Sequence, residues 1–462
     1  MTTKSITEET KQEEIVDDLS HAEVKIETIA KAVEEPVLDV KKMAALKAKM
    51  EAKQREISMT AKIVAKKERS IAFGVIGTGQ AGSKLAATFH QFGYDTVAIN
   101  TAMQDLKHIE LPDSNKLLIQ AGEFGGAAKE LTIGHESALS YRGEIAQLIN
   151  DKLASSQVNI VCSSLGGGSG AGSLEVIIDV LAEIGKPIIV LTVLPMTNED
   201  VQTKHNSIQT LAKLSQYARD KKIANLIVVD NARIESIYSD VSQMSFYQVA
   251  NKAIVEPLNA FNEISMMPSM SKPLDSTELA KIMIDGEGLT VYGQFDVANY
   301  TDEMAISEAV INNLSTNLLA EGFDVKQAKY VGFICVANKS VWDQIPAASF
   351  NYANSIVLEL AEQPAGVFRG AYIIDMPENV VKVYSIFSGL GLPASRVNQL
   401  KEEAKEYMTS VKNKNAQRNL TLELDTGTNE TVSAAQKVKD KIAQKNSAFG
   451  KMVGNKVIDR RK

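Results

Sequence analysis

From residue 71 onward the chain alternates short, continuously apolar runs with longer stretches in which apolar residues recur every three or four positions. The short runs are Ile71–Ile76, Thr96–Asn100, Lys116–Ile119, Asn159–Cys162, Ile188–Val193 and Leu226–Asp230. Runs apolar on both sides of the period-two repeat predict strands buried on both faces. Between them, Lys84–Phe92, Tyr141–Leu153, Leu174–Leu181 and Lys204–Tyr217 carry the spacing of helices with one buried face. This alternation predicts an α/β fold, a Rossmann-like parallel sheet covered by helices, with ligands at the carboxyl ends of the strands. Phe246–Ile264 predicts a long central helix, followed by a Met-, Ser- and Pro-rich loop over Met266–Pro273. Strands at Leu289–Phe295, Tyr330–Ala337, Ala371–Asp375 and Val380–Ser388, with helices near Glu303–Leu319 and Asn351–Glu362, predict a smaller α+β domain; another helix follows Pro393. The expected divisions are a charged extension (1–69), the parallel-sheet domain (70–244), the central helix and its loop (245–287), the smaller domain (288–392), and a C-terminal helix with a tail (393–462).

Composition narrows the class. The 462 residues are 44% hydrophobic and 23% charged, with a formal net charge of −7, ordinary for a globular chain of two or three domains. Cys162 and Cys335 sit in apolar runs and offer neither metal-ligand spacing nor a disulfide framework. No apolar run approaches the ~20 residues of a membrane span, and the acidic, Thr-rich start is unlike a signal peptide. The expectation is a cytoplasmic protein without membrane insertion. Charge is segregated, with 11 Asp/Glu against 4 Lys/Arg in residues 1–40 and 10 Lys/Arg against 3 Asp/Glu in 41–70. The first stretch reads as disordered, or as an arm that docks on a neighbour. The second reads as a basic helix with Met43, Leu46, Met50, Ile57 and Val64 on one face. Residues 401–462 hold 14 Lys/Arg against 8 Asp/Glu. That tail is either solvated or a salt-sensitive grip on an anionic partner.

The chemistry is concentrated in glycine loops. Ser163–Ser173 reads Ser-Ser-Leu-Gly-Gly-Gly-Ser-Gly-Ala-Gly-Ser between a strand and a helix. Five glycines there let the backbone approach a ligand closely, and the helix start adds unpaired N–H groups suited to phosphate. The alternative is a flexible turn. Gly77-x-Gly79-x-x-Gly82 fits the dinucleotide fingerprint, but the next strand ends in Asn100 and not in the acid that would hold ribose hydroxyls. An NAD-dependent oxidoreductase would also leave the five-glycine loop without a role.

Taken together, these loops resemble the tubulin/FtsZ superfamily of GTPases over roughly residues 70–400. Gly166-Gly167-Gly168-Ser169-Gly170-Ala171-Gly172 is similar to its phosphate signature, Gly79-Gln80-Ala81-Gly82 to its first nucleotide loop, Ala98–Thr101 to its second and Gly125-Gly126-Ala127-Ala128 to its third. Val229–Arg233 resembles the segment whose Asn contacts guanine, and Asn251 stands where the central helix carries a guanine-reading side chain. Leu274–Met283 resembles the catalytic loop, with Pro273 in place of the usual Asn; Ala102 stands where an Asp is common. The first loop and the basic tail are more like the plasmid and phage members (TubZ-like) than division FtsZ, whose acidic-apolar terminal peptide is not seen.

The resemblance implies GTP or GDP with Mg²⁺ as cofactors and no dedicated metal-ligand set. It puts the Gly167–Gly172 backbone and the Ser169 hydroxyl on the phosphates, with Gln80 near them and Mg²⁺, and adds Gly79, Ala81, Gly82, Asn100, Gly126, Ala127 and Gly166 to the nucleotide site. It gives guanine to Asn231 and Asn251. It also implies that Asp275 and Glu278 act on the nucleotide of the next subunit, so that a head-to-tail filament completes the active site. A role in positioning plasmid or phage DNA would follow, with the tail on a DNA-bound adaptor. Alternatives are a division-type cytoskeletal protein, or a nucleotide-binding filament without significant hydrolysis. Taken alone, Asp275 and Glu278 also fit a helix-capping box, Asn231 a turn residue, and Asn251 a polar helix surface.

Overall fold

The computed structural model describes residues 68–121, 125–270, 272–316 and 322–421. The expectations for the charged extension before residue 68, for the tail beyond 421 and for Gly122–Phe124 lie outside the described residues. The first half of the fold runs β1 (Phe73–Thr78), α1 (Gly79–Gln91), β2 (Asp95–Asn100), α2 (Met103–Lys107), β3 (Lys116–Leu118), α3 (Leu131–Ser140), α4 (Arg142–Leu153) and β4 (Val158–Ser164). It continues with α5 (Gly168–Ile184), β5 (Ile188–Leu194), α6 (Val201–Arg219), β6 (Asn225–Asp230), α7 (Asn231–Ile237) and the central helix α8 (Gln243–Ile264). Then come α9 (Ser276–Ile284), β7 (Gly288–Val297), α10 (Ala305–Thr316), β8 (Tyr330–Ala337), α11 (Lys339–Trp342), α12 (Ser349–Leu360), β9 (Gly366–Ile373), β10 (Val381–Leu390) and α13 (Ala394–Thr421).

Strands pair in the order β3-β2-β1-β4-β5-β6-β7-β10-β8-β9. The first six are joined by parallel pairing throughout. Val75, Ile76, Val97, Ile99, Ile160, Val161, Ile189 to Leu191 and Ile227 to Val229 are all fully buried, as the continuous apolar runs require. The smaller half is mixed: β10 runs antiparallel between β7 and β8, and β9 joins β8 in parallel. The central helix is not the sole link between the halves. β6 pairs with β7 over Asn225↔Gly288 and Leu226↔Leu289, so one sheet is continuous across them. The buried Asn225 amide seals this junction by donating to the Met283 carbonyl (3.0 Å) and to Thr290 Oγ1 (2.6 Å).

Helix starts differ most from the sequence reading. α1 begins at Gly79 and not Lys84, and α5 at Gly168 and not Leu174. The glycines form the first turns of these helices. Glycine costs about 1 kcal/mol against alanine inside a helix, but packing overrides that preference. A Cβ on Gly82 would lie 2.0 Å from the Cys162 carbonyl oxygen, and one on Gly172 would lie 2.5 Å from that of Leu131. Helices α3 and α7 were not anticipated. Gly134 breaks the helical pattern of α3, yet a Cβ there would meet the Gly168 carbonyl oxygen at 2.0 Å.

The central helix runs the height of the sheet. Its 22 residues span about 33 Å at 1.5 Å per residue. Tyr247, Asn251 and Ile254 stand at the carboxyl ends of the strands. At the helix's other end Asn262 bonds both the N–H and the carbonyl of Ile71, just ahead of β1 (2.8 and 2.9 Å).

Candidate functional site

A cavity of about 590 Å³ opens at the carboxyl ends of the parallel strands. Gly79, Gln80 and Ala81 from the start of α1 line it, with Gly167 to Gly170 at the start of α5, Asn231 at the start of α7, and Asn251 on α8. Three helix starts thus face one space, and two of them are glycine turns. The first N–H groups of α5 have no partner within the helix, Gly167 ahead of it offers no side-chain cap, and the helix dipole adds positive potential there. The two glycine turns touch: a Cβ on Gly79, whose φ is +69°, would lie 2.8 Å from Gly170 Cα. Thr78 Oγ1 and Ser173 Oγ join behind them at 2.5 Å, and Thr101 Oγ1 bonds Ser169 Oγ at the rim. None of residues 166–172 adopts a positive φ. Closeness, not left-handed backbone, is what requires glycine in this loop.

Other expected residues stand elsewhere. Gly82 is pressed under the Cys162 carbonyl. Asn100 is buried behind the cavity, where its Nδ2 donates to Asp105 Oδ2 at 3.2 Å. Gly166 lines a smaller adjoining space of about 120 Å³. Gly126 donates its N–H to the Thr101 carbonyl at 3.1 Å, and Ala127 is buried against Gly168. The Ala171 N–H is already given to the Gly167 carbonyl at 3.1 Å. Ala171 and Gly172 face a separate cavity of about 330 Å³ among α3, α5 and α6. Of the loop Gly166–Gly172, the stretch that lines this cavity is Gly167–Gly170.

Asp275 and Glu278 do not line the cavity. They form a complete capping box at the start of α9: the Glu278 N–H donates to Asp275 Oδ1 (2.8 Å) and the Asp275 N–H to Glu278 Oε2 (3.4 Å). Next to them Ser276 Oγ lies 3.1 Å from Ser70 Oγ, ahead of β1. The cavity is at the far end of that strand, and six residues of strand cover about 20 Å. Asp275 is exposed, and Lys272 Nζ lies 3.1 Å from Glu278.

The sequence reading missed several lining residues: Lys84, Asp105, Ser164, Met196, Asn198, Glu199 and Tyr247. Asp105 matters most. Its carboxylate accepts from Gln80 Nε2 (3.3 Å) and Asn100 Nδ2 (3.2 Å). It stands three residues beyond Ala102 on the short helix α2. Asp105 and Glu199 are the carboxylates of the lining, and so few suit Mg²⁺, which keeps several waters and takes few protein ligands. Among the described residues no group of three or more His, Cys, Asp and Glu could hold a metal ion. Behind Asn231, Asp230 is buried against Arg396 (2.8 Å). Burial pushes its carboxyl up, against the opposing pull of Arg396 and the Ala232 N–H.

A parallel sheet thus carries two abutting glycine turns, with the amides of Asn231 and Asn251, around one cavity. Residues 72–239 match the model of the Tubulin/FtsZ family, GTPase domain. The tubulin-like protein CetZ of Pyrococcus furiosus is 25% identical over 342 residues, covering 72% of this chain and 89% of its own length. The tubulin-like protein TubZ of Bacillus cereus is 22% identical over 378 residues, covering 76% and 85%. The GTPγS-form protofilament structure of TubZ from Bacillus thuringiensis serovar israelensis superposes with a TM-score of 0.67 at 20% identity, covering 76% of this chain and 96% of that one. The GTPγS-bound protofilament of CetZ2 from Haloferax volcanii gives 0.61 at 21%, covering 74% and 100%. Among the described residues no helix is long and apolar enough to cross a membrane.

Proposed function

We propose that this chain binds GTP with Mg²⁺ in the 590 Å³ cavity, assembles head-to-tail, and hydrolyses GTP where one subunit's α9 start meets the next subunit's cavity. One observation carries the reading. The phosphate-ready backbone and the paired carboxylates occupy opposite ends of β1, joined along the central helix. Stacking copies in one direction brings these ends together. Phosphoryl transfer needs mainly positioning and charge stabilisation, which glycine-turn N–H groups, Mg²⁺ and carboxylates supply. The protofilament states of the related TubZ and CetZ2 structures support assembly. The test is phosphate release per subunit against protein concentration, beside pelleting with GTP. A cooperative rise with concentration is expected; a rate per subunit independent of concentration overturns the shared site.

A filament that binds nucleotide without hydrolysis is the second reading. It is favoured by Pro273 at the usual Asn position and by the engagement of both carboxylates in the capping box. Pelleting with GTP but no phosphate release would establish it. The finer role, moving plasmid or phage DNA, rests on the basic tail. Deleting residues 440–462 is expected to leave pelleting intact and to weaken, in a salt-dependent way, the binding of a DNA-bound adaptor.

A further inference from the structure

Helix α13 holds two segments that line the cavity without lining it itself. Arg396 is 6% exposed, with Nε 2.8 Å from Asp230 Oδ2, while its Nη2 donates to the Pro195 carbonyl at 3.0 Å. Pro195 and Asp230 stand where β5 and β6 end, and the next residue of each, Met196 and Asn231, lines the cavity. The second carboxylate oxygen of Asp230 accepts the Ala232 N–H at 3.1 Å, so Asn231 lies between two fixed points. Two turns further along α13, Glu403 lies 2.8 Å from Lys204 Nζ, which donates to the Thr197 carbonyl at 2.7 Å. The segment Pro195–Glu199, which presents Met196, Asn198 and Glu199 to the cavity, is thus held at Pro195 and Thr197. Both anchors trace to one helix. A buried ion pair gives little net stability over apolar packing, whereas a planar guanidinium can bond a carboxylate and a carbonyl in fixed geometry, which an ammonium cannot match.

We propose that Arg396 is a positioning residue for purine selection: α13 clamps the Pro195–Glu199 segment and the Asp230–Asn231 corner, and so sets where Asn231 meets the base. This rests on reading the cavity as a guanine-nucleotide site. The test compares GTP with inosine triphosphate, which lacks only the exocyclic amine, by displacement of a fluorescent GTP analogue from full-length protein. The variants are Arg396→Lys and the charge-neutral pair Asp230→Asn with Arg396→Met, which leaves no unpaired buried charge. Each is expected to weaken GTP binding about tenfold, within the range usual for coupled sites, and to shrink the ratio of GTP to inosine triphosphate affinity. KM for GTP rises while kcat changes little. A merely structural role would lower the folded fraction and weaken both nucleotides equally, leaving the ratio unchanged, and that outcome overturns the proposal. So does wild-type affinity and ratio in both variants. Wild-type protein that binds no GTP overturns the nucleotide reading itself, and this inference with it.

Discussion

The glycines of the two turns do different work. At Gly82 an added methyl would press on the Cys162 carbonyl, a backbone atom that cannot swing aside. Gly82→Ala is expected to destabilise by at least the 1–3 kcal/mol typical of overpacking, read as a shift in denaturant midpoint. At Gly167 an added Cβ meets only Ser164 Oγ, at 3.3 Å, beside the cavity. Gly167→Ala should keep its denaturant midpoint and lose about tenfold in GTP affinity, equivalent to ~1.4 kcal/mol; wild-type affinity would show that phosphate does not approach Gly167. Gly168→Val is a poorer probe, because its Cβ would strike Ala127 and the Glu130 N–H. The glycine positions were legible because closeness demands them in one ordered motif. Asp105 was not, because a lone Asp in a five-residue helix carries no periodic signal. Asp105→Asn keeps a partner for the Gln80 and Asn100 amides yet removes the charge. GTP binding in this variant should lose most of its dependence on Mg²⁺; an unchanged dependence excludes Asp105 from the metal's surroundings.

At the scale of elements, the sequence placed the strands of the parallel sheet to within about two residues at each end, because continuous apolar runs have one explanation in a covered sheet. It placed β9, however, at Ala371–Asp375 where the strand runs Gly366–Ile373. Helix starts were misread wherever glycine entered them, since propensity argues against what tertiary contact enforces in α1 and α5. The start of α6 is conventional. Asp200 caps it by accepting the Thr203 N–H (3.0 Å) and hydroxyl (2.9 Å), and it pairs with Lys129 from the third glycine loop. Burial pushes the Asp200 carboxyl up, but these partners outweigh it and hold it at about 2, from an ordinary 3.8. A carboxyl depressed in the folded state contributes stability that is complete above its unfolded value and lost as pH falls through the folded one. The loss attributable to Asp200 should therefore fall between about pH 4 and pH 2. Asp200→Asn retains a capping oxygen but not the charge, so it should lower the neutral-pH midpoint, flatten that part of the stability profile and converge with wild type near pH 2. An acid limb identical to wild type would place the titration on other carboxylates.

Over the whole molecule, the sequence conveyed the order of the parts but not that β6–β7 pairing makes one sheet of both halves, since two residue pairs leave no pattern. Its two readings of Asp275 and Glu278 also could not be weighed without coordinates. The capping box is formed, so the structural role is real; the position ahead of β1, a sheet's height from the cavity, makes the proposed catalytic role one exerted on a neighbour. Substitution can separate the two roles because they need different properties of the same side chains. Capping needs a hydrogen-bond acceptor, and Asn serves about as well as Asp, whereas Ala costs about 1 kcal/mol. Orienting and activating water needs the carboxylate's charge. Asp275→Asn should therefore unfold at the wild-type denaturant concentration and bind GTP normally, since the cavity is untouched. Its phosphate release at saturating protein should fall by the ~10²–10⁴-fold expected when a positioned acid–base group is lost. Its filaments should still pellet with GTP and persist where wild-type filaments disassemble. Asp275→Ala should show the same loss of turnover together with a measurable loss of stability. If Asp275→Asn hydrolyses GTP at the wild-type rate while Asp275→Ala is merely less stable, the carboxylate is a helix cap alone, and the second half of the active site must be sought elsewhere on the face that carries α9.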